Sequence, residues 1–188
     1  MGGNSRVPLA EAEAVATSMV RRLEDACRRI LVAGSIRRRK AAVGDIEIVA
    51  EPRFESRSRR NGDLFEPTRS ENRDLLEERV ESLLRDGVLA THPTDPKNGE
   101  RYKKLWIAGA ALQLDLFVVR PPADWGCAVA IRTGPAHLAV RLVQGLIARG
   151  YHMDGFRVLR GEEHYRCEDE SDVFGYAGVP FLAPERRL

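Results

Sequence analysis

The chain has 188 residues, 43% of them hydrophobic and 31% charged, with a formal net charge of +2. That length buries a real core as one domain or two small ones, and no apolar run is long enough to span a bilayer. Cys27, Cys127 and Cys167 are odd in number and widely spaced, which excludes a disulfide framework and a zinc site; no signal-peptide pattern opens the sequence, so a reducing cytoplasm is the expected compartment.

Met1 to Ser5 read as a flexible start. From Leu9 to Arg29 an apolar stripe, Ala12, Val15, Ala16, Met19, Leu23, Ala26 and Ile30, predicts one amphipathic helix. Strands are expected at Ile30–Ala33 and Asp45–Ala50, separated by a small-residue turn, Gly34-Ser35, and a basic loop, Arg37-Arg38-Arg39-Lys40. Arg53 to Asn72 is polar, contains Gly62 and Pro67, and reads as a long excursion in which Arg57, Arg59 and Arg60 are solvated charges. Asp74 to Arg85 is a second amphipathic helix, with Leu75, Leu76, Val80, Leu83 and Leu84 inward and Asp86-Gly87 closing it. Val88–Thr91 and Tyr102–Ile107 are expected strands flanking a turn at Pro96-Lys97-Asn98-Gly99, and Leu112–Val119 is the next strand.

Pro121-Pro122 marks a boundary. Beyond it Thr133-Gly134-Pro135 opens a helix whose Leu138, Leu142, Val143, Leu146 and Ile147 face inward, and Gly150 ends it. The acid-rich run from Glu168 to Asp172 suits a helix start, where the dipole favours negative charge. His92, His137, His152 and His164 show no ligand spacing and read as surface or packing residues.

The chemistry lies on two of the strands. Side chains two apart on a strand share a face, so Asp45 and Glu47 stand side by side while Ile46 and Ile48 point into the core. Asp115 lies opposite the apolar face made by Leu112, Leu114, Leu116 and Val118. Pairing of these two strands would gather three carboxylates on one patch, enough for two divalent ions roughly 3.5–4 Å apart. Neighbouring carboxylates repel unless a cation shares them, and hard oxygen ligands favour Mg²⁺. A tight turn beside them forms a nest of amides, and arginine forks match phosphate oxygens. The uneven basic charge, with Lys97, Arg101, Lys103 and Lys104 as one cluster, suits a partner carrying phosphates.

The run Gly34-Ser35-Ile36-Arg37-Arg38 with Gly44-Asp45-Ile46-Glu47, then Asp115, then Trp125-Gly126 to Thr133-Gly134, and finally Asp172-Val173-Phe174, Gly178-Val179-Pro180 and Pro184-Glu185-Arg186, resembles the family X DNA polymerases, the polymerase beta-like group. The resemblance runs from about Ala10 to the end of the chain. It implies an α+β fold: a nucleotidyltransferase palm over residues 1–120, a mixed β-sheet with two flanking helices, followed by a small C-terminal α/β subdomain over residues 121–188 that binds nucleotide and DNA. The resemblance further implies that Asp45, Glu47 and Asp115 are catalytic and bind Mg²⁺ or Mn²⁺, Asp115 also helping to deprotonate a primer 3′-hydroxyl. Ser35 and Arg38 would hold the β- and γ-phosphates of a nucleoside triphosphate, assisted by amides of Gly34, Ser35 and Gly44, with Ile131, Arg132, Thr133 and Gly134 beside the incoming sugar. Arg37 and Arg39 read equally as DNA contacts or solvated charges.

Several positions depart from the family pattern. Glu47 replaces the usual aspartate, which alters metal geometry by one methylene. Ile131-Arg132 replaces an aromatic pair, which puts sugar discrimination in doubt and lets Arg132 add a phosphate or base contact. Ala139 and Val143 stand where relatives place Asn and Arg against the minor groove, so modest fidelity is expected. Gln113 replaces a basic residue, so its salt link to a carboxylate is expected to be missing. The lyase and helix-hairpin-helix modules of larger relatives are expected to be absent, as in minimal viral-type members, so Lys97, Arg101, Lys103 and Lys104 become the candidates for DNA-backbone contacts. The expected function is a repair-type DNA polymerase, a monomer acting on primer-template or gapped DNA. The alternatives are a nucleotidyltransferase acting on RNA ends, a small molecule or a protein, and a non-catalytic DNA-binding relic.

Overall fold

In the computed structural model residues 6–59, 69–110 and 112–187 are described. Strand β1 (Val7–Pro8) leads into helix α1 (Leu9–Leu23), a 3₁₀ turn (Glu24–Ala26) and strand β2 (Cys27–Val32). A one-turn helix α2 (Gly34–Arg37), strand β3 (Ala42–Val43) and strand β4 (Asp45–Pro52) follow. Strands β5 (Phe54–Arg59) and β6 (Arg69–Asp74) precede helix α3 (Leu75–Arg85). Next come β7 (Leu89–Thr91), β8 (Lys97–Asn98), β9 (Tyr102–Ile107) and β10 (Leu112–Val118). The rest comprises α4 (Trp125–Thr133), α5 (Ala136–Ala148), β11 (His152–Asp154), β12 (Arg157–Arg160), β13 (Glu163–Tyr165) and α6 (Glu170–Ala177).

The central sheet has the order β2-β4-β10-β9-β7, with β8 on β9. β4 and β10 run parallel and the remaining pairs antiparallel. Alternation assigns its two faces different tasks. Ile46, Ile48, Leu112, Leu114, Leu116 and Val118 bury against Ala12, Ala16, Met19 and Leu23 of α1 and against Leu76, Val80 and Leu83 of α3. Each fully buried leucine among them contributes about 2 kcal/mol. The opposite face carries Asp45, Glu47 and Asp115 at one end. At the other end Val49, Phe117 and Val119 pack on Ala128 and Val129 of α4.

The C-terminal elements have their own cluster, in which Leu138, Leu142 and Leu146 of α5 meet Val173, Phe174 and Ala177 of α6. Gly126 is required where α4 passes α6, because a Cβ there would lie 2.3 Å from the Asp169 carbonyl oxygen. Asp169 and Asp172 form a capping box at the start of α6, the acid-rich start the sequence suggested. Cys27, Cys127 and Cys167 are buried and unpaired; burial pushes the Cys27 and Cys167 thiols up to about 12, and Cys127 upward as well.

Several expectations are corrected. The first helix ends at Leu23, not Arg29, because Arg28 and Arg29 leave it to pair with Glu51 across β2 and β4. The excursion from Arg53 to Asn72 falls largely on the paired strands β5 and β6, whose sequences carry one apolar residue, Phe54, and so show no apolar alternation. Gly62, Pro67, the side chains of Arg57, Arg59 and Arg60, and Met1 to Ser5 lie outside the described residues. Lys97 and Asn98 pair with Lys104 and Lys103 as strand, and the turn falls after them, where the Gly99 amide donates to the Tyr102 carbonyl at 3.0 Å. Ile147 is 61% exposed, since Leu138, Leu142 and Leu146 already fill the buried stripe and Ile147 lies a further 100° round the helix.

Candidate functional site

The turn between β2 and β4 is shaped by one contact. Gly34 has φ +60°, and a Cβ on it would fall 1.7 Å from Oε2 of Glu47. The longer acid therefore lies over a position that only glycine can fill. The Ala33 amide donates to the Glu47 carbonyl at 2.8 Å, so turn and strand are also joined through the backbone.

A cleft of about 1010 Å³ opens beside this turn. One wall carries Ser35 and Arg38, a second Asp45 and Glu47, and a third Ile131, Arg132 and Gly134 from the end of α4; Gly44 lines it too. Ser35 Oγ, Arg38 Nε and Arg132 Nε are buried and find no hydrogen-bond partner among the described residues. Buried donors without partners cost about 1–3 kcal/mol each, so three of them in one cleft point to an anionic ligand that satisfies them. Arg38 also donates from Nη1 to the Thr133 carbonyl at 2.7 Å. The guanidinium of Arg132 stacks over Phe117 at 3.9 Å.

The parallel register of β4 and β10 sets Gln113 beside Asp45 and Asp115 beside Glu47, so the three acids rise from one patch of sheet, as expected. Their side chains then separate. Glu47 turns to Gly34, while Asp115, 8% exposed, accepts from the Tyr102 hydroxyl at 2.8 Å and from Gln113 Nε2 at 2.9 and 2.8 Å. Among the described residues no three His, Cys, Asp or Glu side chains are grouped to hold a metal ion. Gln113 lacks the salt link, as expected, but supplies neutral hydrogen bonds in its place.

The donor set nevertheless fits a hard divalent ion. Burial, and then repulsion by Asp45 and Asp115, pushes Glu47 up to about 7, opposed by Arg38 and Arg132. Burial, and then Asp115, raises Asp45 above the ordinary carboxylate range, opposed by Arg38, Arg6 and Lys104. A bound dication would reverse both effects. Between the ordinary glutamate value and about 7, the folded metal-free chain holds a proton on Glu47 that the unfolded chain has released. Stability therefore falls as pH rises through that window. Urea unfolding in the presence of chelator should show a loss of about 2 kcal/mol from this group between about pH 5 and pH 7. Glu47→Gln should remove that component; a Glu47→Gln profile parallel to wild type would refute it.

The remaining expected residues divide. Thr133 lines no part of the cleft; it is fully buried, and its hydroxyl and carbonyl accept from Arg37 and Arg38 at 2.7 Å. Arg37 is a tie between the turn and α6, bonded to Glu170 at 2.9 Å, while Arg187 reaches the same carboxylate at 2.9 Å. Lys103 is corrected: it is 1% exposed, with Nζ donating to Glu77 at 2.7 Å and Asn98 at 2.8 Å, and presents nothing to a DNA backbone. Lys104 donates to Asp95 at 2.9 Å, and Lys97 pairs with the same Asp95 at 3.8 Å; Lys97 and Arg101 are exposed. Tyr102 was not anticipated. Its only sequence signal is its even spacing from Lys104 and Trp106, which puts it on the acidic face of β9.

A mixed sheet with α1 and α3 on one face, and α4 beside an acid-lined cleft on the other, is the fold of polymerase beta. Leishmania infantum polymerase beta in a ternary P/T complex superposes with a TM-score of 0.72 at 19% identity, covering 98% of this chain and 77% of that one. The same enzyme in a ternary gap complex gives a TM-score of 0.74 at 18% identity, covering 98% and 71%. No protein-family model matches the sequence, and no curated protein does.

Proposed function

We propose that this chain is a metal-dependent DNA polymerase of the family X kind, extending a primer 3′-hydroxyl from a nucleoside triphosphate during gap repair. The observation that carries this reading is the cleft itself: three unpartnered buried donors stand across from two carboxylates whose charge is held back by burial. Triphosphate oxygens would satisfy Ser35 Oγ and the Arg38 and Arg132 guanidinium groups, while the turn amides supply further donors. Asp115 would take the proton from the primer hydroxyl. Asp45, Glu47 and Asp115 would hold Mg²⁺ (or Mn²⁺), which when bound activates the attacking oxygen and neutralises the leaving pyrophosphate. The reading divides the chain at Pro121-Pro122 into a palm and a C-terminal subdomain, acting as a monomer in a reducing cytoplasm. No helix among the described residues is long and apolar enough to cross a membrane.

The test is extension of one primer with and without template, with deoxy- and ribonucleotides, beside a metal-free control. Metal-dependent, templated extension with frequent misinsertion is expected; transfer only to RNA ends would favour the broader nucleotidyltransferase alternative. A protein that binds nucleotide or DNA without turnover is the rival favoured by the separated acids, and metal-dependent extension excludes it. For DNA contacts the reading retains Lys97 and Arg101. Converting both to alanine should lower the log–log salt slope of binding by about 2. An unchanged slope would remove this hairpin from the interface.

A further inference from the structure

Asp115 is held by donors to which the polymerase reading gives no task. The Tyr102 hydroxyl meets Oδ1 at 2.8 Å, and the Gln113 amide reaches both carboxylate oxygens. Both donors are neutral. A cation is available, because Lys104 lies directly across the β9–β10 ladder from Asp115, yet its ammonium is turned to Asp95 at 2.9 Å. The carboxylate is thereby fixed in direction by neutral donors alone, which suits a group that must present its oxygens to a proton or a metal ion.

Tyr102 is itself fixed. It pairs with Phe117 in the ladder, and the two rings stack at 5.0 Å with 14° between their planes. Lys97 Nζ stands 5.9 Å from the Tyr102 ring, and Arg132 lies 3.9 Å from the Phe117 ring. With its ring held in this stack, the hydroxyl is kept within hydrogen-bond reach of Asp115.

We propose that Tyr102 is a positioning residue, its hydroxyl setting the orientation in which Asp115 receives the primer hydroxyl's proton and a divalent ion. The proposal rests on the polymerase reading for what Asp115 does. Tyr102→Phe keeps the ring and its stacking and removes only the donor. Two measurements test it on the full chain: primer-extension kinetics, and Mn²⁺ binding without nucleotide followed by electron paramagnetic resonance.

Tyr102→Phe should lower kcat about tenfold with KM for nucleotide within about twofold, and should weaken Mn²⁺ binding by about tenfold. In an Asp115→Asn background, which still carries Asp45 and Glu47, the same change should leave residual Mn²⁺ binding unaltered. Wild-type behaviour of Tyr102→Phe in both measurements would overturn the proposal, as would an equal loss with and without Asp115, which would mean packing alone. If the wild type extends no primer, the polymerase reading falls by itself and the Mn²⁺ measurement still decides Tyr102. If the wild type binds no Mn²⁺ either, the proposal falls too.

Discussion

Asp115→Ala should lower the rate of nucleotide addition by about 10³-fold, equivalent to about 4 kcal/mol of transition-state stabilisation. The parallel register places this carboxylate beside Glu47, and it is the acid assigned to both the primer hydroxyl and the metal. Its loss removes a proton acceptor and a metal ligand at once, and the neighbouring Glu47 carboxylate is turned to Gly34. Stability should change little. The substitution strands the Gln113 amide and the Tyr102 hydroxyl, but it also relieves the repulsion felt by Asp45 and Glu47. Single-turnover extension and urea unfolding on the same preparation separate the two effects. A variant that still extends primers within tenfold of wild type would mean the reaction does not pass through this carboxylate.

Arg38→Ala should raise KM for the nucleotide by about 10–100-fold, reflecting loss of a charge-assisted phosphate contact worth about 1.5–3 kcal/mol. One guanidinium nitrogen grips the Thr133 carbonyl, while the buried Nε has no partner and the cleft lies alongside. Burial lowers its pKa, and Glu47 and Asp45 push it back up, so the charge is kept at neutral pH. Arg38→Lys should recover little, because an ammonium cannot serve the carbonyl and a phosphate through one planar fork. Full recovery by lysine would show that charge alone is needed there. Equilibrium binding of a non-hydrolysable triphosphate, compared with steady-state KM, checks that the loss is one of affinity.

The acidic patch was legible because β4 and β10 alternate cleanly: Ile46 and Ile48, like Leu114 and Leu116, could face only a core, which left Asp45, Glu47 and Asp115 together. The burial of Lys103 was legible by the same rule, since Leu105 and Ile107 share its face, but the weight of neighbouring positive charge concealed it. Helix α4 gave no periodic signal because Gly126, Cys127, Ala128, Val129 and Ala130 are all buried, on every side of a nine-residue helix. β11 to β13 are three or four residues long, too short for alternation to register. The directions of the acids were not legible at all. Where Glu47 points depends on the missing Cβ of Gly34, and where Asp115 points depends on a tyrosine from another strand.

The three thiols have a practical bearing. Reagents that alkylate sulfur need an accessible thiolate, and burial denies both access and ionisation to Cys27, Cys127 and Cys167. The native sequence thus serves as its own unreactive background. A single cysteine placed at exposed Ile147 would be the one handle for a fluorophore or spin label, and distances measured from it would report on the folded protein without any native sulfur having been removed.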